Sequence, residues 1–149
     1  MMKSPVYIGF YGFSNTGKTT LIIRIIKQLT MKGFKLASIK QTSHSYTIDS
    51  SETDTWKHAQ AGATLICFDT AVETSFMIKQ HLSFEKIQRI ICCIDQFDVV
   101  LVEGAHDSEI QKIRMNDQIP IRDNTMFTFD GDINKVICFI EKQITKEGK

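Results

Sequence analysis

The sequence predicts an α/β domain with a mainly parallel sheet flanked by helices. Three observations predict it. Apolar, β-rich runs alternate with helical periodicity along a chain of 149 residues. A glycine-containing segment, Gly12-Phe13-Ser14-Asn15-Thr16-Gly17-Lys18-Thr19, separates the first strand-like run from the first helical one. A compact apolar strand, residues 98–102, ends at Glu103-Gly104.

Each element has a local reason. Val6-Tyr7-Ile8-Gly9-Phe10-Tyr11 is apolar and rich in strand formers, so it opens the sheet. Residues 18–32 form a helix whose apolar face carries Leu21, Ile22, Ile25, Ile26 and Leu29, with Gly33 as its stop. Residues 34–39 read as a second strand ending at Lys40. Residues 41–55, dense in Ser, Thr and Asp, read as a long loop, a feature often tied to function. Residues 56–62 give a short helix, 64–69 and 74–79 two strands, and 84–94 a helix. Residues 110–115 and 119–122 are expected as late strands. Asp132 caps a final helix over 133–144, with Val136, Ile137 and Ile140 inward.

The length fits one nucleotide-binding domain over residues 1–149. A formal net charge of +1 argues against a broad nucleic-acid or anionic-membrane surface. The N-terminal apolar run is too short to span a bilayer. Cys67, Cys92, Cys93 and Cys138 form no Cys-x-x-Cys pair, and their apolar surroundings suggest buried structural thiols. With no secretory signal in view, a reducing cytoplasm is the expected location.

Residues 12–19 satisfy G-x-x-x-x-G-K-[ST] at every fixed position, the phosphate-binding P-loop. Backbone N–H groups of Gly12, Ser14, Asn15, Thr16 and Gly17, and the helix N-terminus with Thr20, would cradle the phosphates. Lys18 would reach the β- and γ-phosphates, and the Thr19 hydroxyl would bind Mg²⁺. The loop predicts a triphosphate without choosing its base.

A second constellation, Lys40, His44, Asp49, Asp54 and Glu103, sits after strands that should end at the loop edge. Asp49 and Glu103 there would hold Mg²⁺ or orient water. Each residue has a structural alternative. Asp54 is equally placed to cap a helix, and Asp49 to make a turn. Glu103 and Lys40 could be solvated, and His44 suits a loop hydrogen bond.

With these residues in place the chain resembles the MobB family, the molybdopterin-guanine dinucleotide biosynthesis protein B. The likeness runs through the glycine loop, Ile39-Lys40-Gln41-Thr42-Ser43-His44, Asp49, Asp54-Thr55, Ala61-Gly62-Ala63, Val99-Val100-Leu101-Val102-Glu103-Gly104 and Lys112-Ile113. It covers roughly residues 5–115. The chain departs from the family pattern at Gln41, Ser43, Glu52-Thr53 and Ala105-His106. The resemblance implies a P-loop NTPase fold and a Mg²⁺-dependent GTP-binding accessory factor with weak GTPase activity. It implies catalytic roles for Lys18, Asp49 and Glu103, and metal binding by Thr19, Asp49 and Glu103. It further implies a homodimer that brings GTP to a MobA-like guanylyltransferase, with molybdopterin as the group to be guanylated. Strands 64–79 are candidate pairing surfaces; the base pocket is expected in the late segment near Asp123, where an ordinary turn is the favoured alternative. The alternatives on the same scaffold are a small-molecule kinase and a nucleotide-switched interaction module. No arginine in the sequence pattern stands out as a finger supplied in cis.

Overall fold

The computed structural model describes residues 4–147. Its elements, in chain order, are β1 Val6–Tyr11, α1 Lys18–Met31, β2 Leu36–Lys40, α2 Asp54–Gln60, β3 Leu65–Asp69, β4 Thr74–Ile78, α3 Phe84–Ile94, β5 Val99–Glu103, β6 Gln111–Arg114, β7 Thr125–Thr128 and α4 Ile133–Glu147. The chain divides into two compact units, residues 43–87 and the remainder.

The larger unit holds a five-stranded sheet in the order β2-β5-β1-β6-β7. All its pairings are parallel. A central parallel strand is covered on both faces, so it can be apolar throughout. β5 obeys this, with Val99, Val100, Leu101 and Val102 fully buried. α1 and α4 pack against each other and against the sheet. α1 turns Leu21, Ile22, Ile25 and Leu29 inward, and α4 turns in Ile133, Val136, Ile137, Ile140 and Ile144.

α1 stops where Gly33 adopts φ +87°. The Gly33 N–H donates to the Thr30 carbonyl at 2.9 Å and the Phe34 N–H to the Leu29 carbonyl at 3.1 Å, the paired bonds of a Schellman ending. At the other end of the chain, Asp132 accepts from the Asn134 N–H at 2.9 Å, as an N-cap should.

The connection from β5 to β6 crosses β1 without a helix. A Cβ on Gly9 would lie 2.5 Å from Ala105 Cβ and 3.2 Å from Ile110 Cδ1. A glycine in mid-strand therefore lets the side chains of the crossover pack close above it. Lys112 fastens this crossover from within. Its side chain is 1% exposed, and its ammonium donates to the carbonyls of Ser108, Ile110 and Asp123 at 3.2, 3.1 and 2.9 Å. Burial lowers its pKa, with Arg122 pushing the same way and Asp123 and Asp107 opposing.

The smaller unit carries α2 and an antiparallel pair, β3 with β4. Ile66 is its buried apolar residue among the described ones, while Leu65, Phe68, Val72 and Phe76 are exposed.

Three expectations need correction. Residues 119–122 are not a strand; the last strand is β7. Pro120 cannot donate to a ladder, and the Arg122 carbonyl is already taken by the Thr125 N–H at 3.2 Å and hydroxyl at 2.6 Å. The cap of α2 is Thr53, whose hydroxyl accepts from the Trp56 N–H at 3.1 Å, which leaves Asp54 as the first helical residue. The cysteines are not buried: Cys67, Cys93 and Cys138 are exposed and Cys92 is half-buried. On β3 the inward position falls to Ile66, so strand alternation turns Cys67 outward.

Candidate functional site

Residues 12–17 leave β1 at the carboxyl edge of the sheet and turn into α1. Asn15 at φ 62° and Gly17 at φ +83° give the segment its left-handed bends. Gly12 has no room for a side chain: a Cβ there would meet Ile119 Cδ1 at 2.8 Å, Thr16 Oγ1 at 2.9 Å and Met115 Cβ at 3.0 Å. Gly17 caps α1 with no side-chain hydrogen bond, and the first turn has no acidic residue. The leading N–H groups and the positive end of the helix dipole thus lack the usual side-chain anion.

Lys18 folds over the loop. Its ammonium donates to the Gly12 carbonyl at 2.9 Å and the Phe13 carbonyl at 2.6 Å, with Thr16 Oγ1 at 3.5 Å. Partial burial holds its pKa below the ordinary lysine value; Glu103 pulls it up, while Lys40 and Arg122 push it further down.

Parallel register brings the next group in. Phe10 and Lys40 both pair with Glu103, so the ends of β1, β5 and β2 lie level. The Thr19 hydroxyl donates to Glu103 Oε1 at 2.7 Å. Lys40 Nζ lies 3.9 Å from the same oxygen. The Glu103 side chain is 15% exposed, enough to be reached by solvent while fixed by its neighbours. A hydroxyl beside a carboxylate is a hard oxygen donor set of the kind Mg²⁺ takes. Among the described residues no group of three or more His, Cys, Asp or Glu gathers as a metal site.

The structure thus brings together Gly12, Ser14, Asn15, Thr16, Gly17, Lys18, Thr19, Thr20, Lys40 and Glu103 in the larger unit. Asp49 and His44 belong to the smaller one. There the Asp49 carboxylate, 6% exposed, accepts from Thr55 at 3.0 Å, Thr53 at 3.2 Å and Lys79 at 3.2 Å. His44 is exposed. Asp123 is exposed, and its carbonyl receives Lys112.

Sequence reasoning passed over Arg122. Its Nη1 donates to the carbonyls of Gly104 at 2.9 Å and Ala105 at 3.1 Å, directly after Glu103. No motif marks it, because it reaches the edge only through the fold of the β6–β7 connection.

A five-stranded parallel sheet bearing this loop at its carboxyl edge defines an α/β protein of the P-loop NTPase type. The comparisons then narrow the class. The profile "MobB: Molybdopterin guanine dinucleotide synthesis protein B" matches residues 7–139, and the chain belongs to that family. The "Molybdopterin-guanine dinucleotide biosynthesis adapter protein" of Haemophilus influenzae is 26% identical over 117 residues, which are 74% of this chain and 63% of the relative. The chain therefore spans somewhat under two thirds of that relative's length. A "Uridine kinase" of Lactiplantibacillus plantarum is 28% identical over 99% of this chain and 72% of its own. The crystal structure of Bacillus subtilis MobB superposes with a TM-score of 0.71 at 16% identity, covering 93% of this chain and 97% of that one, a likeness of fold. Among the described residues, no helix is long and apolar enough to cross a membrane.

Proposed function

We propose that this chain is a Mg²⁺-dependent GTP-binding accessory protein of molybdopterin guanine dinucleotide biosynthesis, with weak GTPase activity. The observation that carries the reading is the uncapped N-terminus of α1 behind Gly17, with Lys18 over the loop and Thr19 on Glu103. Membership of the MobB family supplies the pathway. In this reading the loop N–H groups and Lys18 bind the β- and γ-phosphates, and Thr19 and Glu103 hold Mg²⁺. Mg²⁺ when bound would neutralise phosphate charge. Asp49 and His44, on the smaller unit, are the additions that the sequence pattern makes. GTP held in this way is delivered to a MobA-like guanylyltransferase that acts on molybdopterin. The protein works in the cytoplasm as a homodimer paired through β3 and β4.

The test is Mg²⁺-dependent binding of GTP and ATP side by side, with Lys18→Ala as control. A GTP preference is expected, with affinity for both triphosphates falling about a hundredfold or more in that variant through loss of a charge-assisted phosphate contact. Unchanged affinity in a folded Lys18→Ala protein would sink the reading. One observation favours a second reading, a nucleoside phosphotransferase: the similarity to the uridine kinase runs over nearly the whole chain. ATP preference together with phosphate transfer to uridine would move the assignment there.

A further inference from the structure

Three cations stand at the loop edge: Lys18 over the loop, Lys40 at 3.9 Å from Glu103 Oε1, and Arg122 on the carbonyls of the two residues that follow Glu103. The third has a built position. The Arg122 guanidinium lies 4.7 Å from the centre of the Tyr11 ring, and its own backbone N–H donates to Tyr11 Oη at 3.1 Å. Tyr11 is fully buried, and its hydroxyl is tied to Thr125 Oγ1 at 2.7 Å. Tyr11 is also the last residue of β1, directly before Gly12. On its other side the guanidinium is tied through Nη1 to the carbonyls that follow Glu103. One arginine is thus clamped between the strand end that starts the loop and the strand end that carries the carboxylate.

The clamp uses one of its three nitrogens. Among the described residues Nε and Nη2 have no hydrogen-bond partner, and no carboxylate pairs with this side chain. A guanidinium fixed in place by neutral groups keeps its charge and a fork of donors for an outside anion. The carbonyls that hold it come directly after Glu103, whose partner Thr19 marks the metal and terminal-phosphate side of such a loop.

We propose that Arg122 bonds the terminal phosphate of a bound nucleoside triphosphate, as a cation supplied in cis by the β6–β7 connection. This inference rests on the nucleotide reading above. Its test is equilibrium binding, with Mg²⁺, of GTP, a non-hydrolysable GTP analogue and GDP to the full chain. Wild type is compared with Arg122→Ala, Arg122→Gln and Lys18→Ala. Arg122→Gln keeps a polar, uncharged side chain while removing the charge, the guanidinium fork and part of its reach. Both Arg122 variants should lose about tenfold or more in affinity for GTP and its analogue, the worth of one charge-assisted bond. Their GDP affinity should stay within about twofold. Equal losses for GTP and GDP would mean a merely structural arginine, and no loss would mean an idle one; either result overturns the inference. Should wild type bind no triphosphate, or Lys18→Ala bind as well as wild type, the nucleotide reading itself fails and takes this one with it.

Discussion

The two compact units spend their apolar residues in opposite ways. The larger one buries them: β1, β5, α1 and α4 together hold most of the core, down to fully buried Ile8, Ile25, Leu101 and Ile140. The smaller one exposes Leu65, Phe68, Val72 and Phe76 and buries Ile66. Order in the first comes from close packing of buried side chains. Order in residues 43–87 leans on polar clasps, with Asp49 gathering Thr53, Thr55 and Lys79. The phosphate site proposed at Lys18, Thr19 and Glu103 would rest on the first kind of support. Exposed aromatic and aliphatic side chains on a hairpin suit the second unit to a surface role.

Matched glycine substitutions should break this contrast most visibly. Gly104 has φ +101°, and a Cβ there would stand 2.4 Å from the Gln41 carbonyl oxygen. Gly62 has φ +108° with nothing within 4 Å of such a Cβ. Gly104→Ala should cost about 2–5 kcal/mol, strain plus overpacking, and Gly62→Ala about 1 kcal/mol, strain alone. Chemical denaturation of both variants reads the difference; equal costs would refute the division of labour.

The next effect is on the polar clasp. Burial works against the charged form of Asp49, yet bonds from Thr55, Lys79 and Thr53 hold its pKa below 3.8. A carboxyl depressed on folding stabilises above its unfolded pKa and loses that stabilisation as pH falls through the folded value. Asp49→Asn should therefore lower the thermal midpoint at pH 7, and the gap to wild type should close on acidification below 3.8. A gap that stays constant into acid would show that the charge contributes nothing.

The smallest effect concerns the hairpin. Phe76 is 61% exposed, so Phe76→Ser should change monomer stability by no more than about 0.5 kcal/mol. If β3 and β4 pair two copies, the same change should weaken self-association in sedimentation. A monomeric wild type at working concentration would remove the hairpin from that role.

Most elements were legible because their signals are local. Apolar periodicity in α1, the glycine stop at Gly33 and the Asp132 cap each need only neighbouring residues. The meeting of Thr19 with Glu103 was legible for a related reason: a loop pattern and a buried strand end need little beyond parallel pairing to come together. The misses depend on contacts distant in sequence. Ile119-Pro120-Ile121-Arg122 looks more strand-like than Thr125-Met126-Phe127-Thr128, yet Ile119 is committed to Gly12 and the ladder passes to β7. The cysteines were misjudged because apolar neighbours in sequence are not neighbours in space: α4 buries Val136 and Ile137 while Cys138 turns out. Arg122 was invisible for the same reason, since its partners Tyr11 and Gly104 are far away along the chain.

The bare backbone of Gly9 beneath Ala105 has a consequence for how this chain can change. A methyl group added at Gly9 has nowhere to go unless the crossover lifts, and Lys112 ties that crossover to three carbonyls. Enlargement at either position is thus obstructed while the other stays as it is. The two sites form a lock that single-step substitution cannot open, and a different residue at Gly9 would have to arrive together with a rerouted crossover.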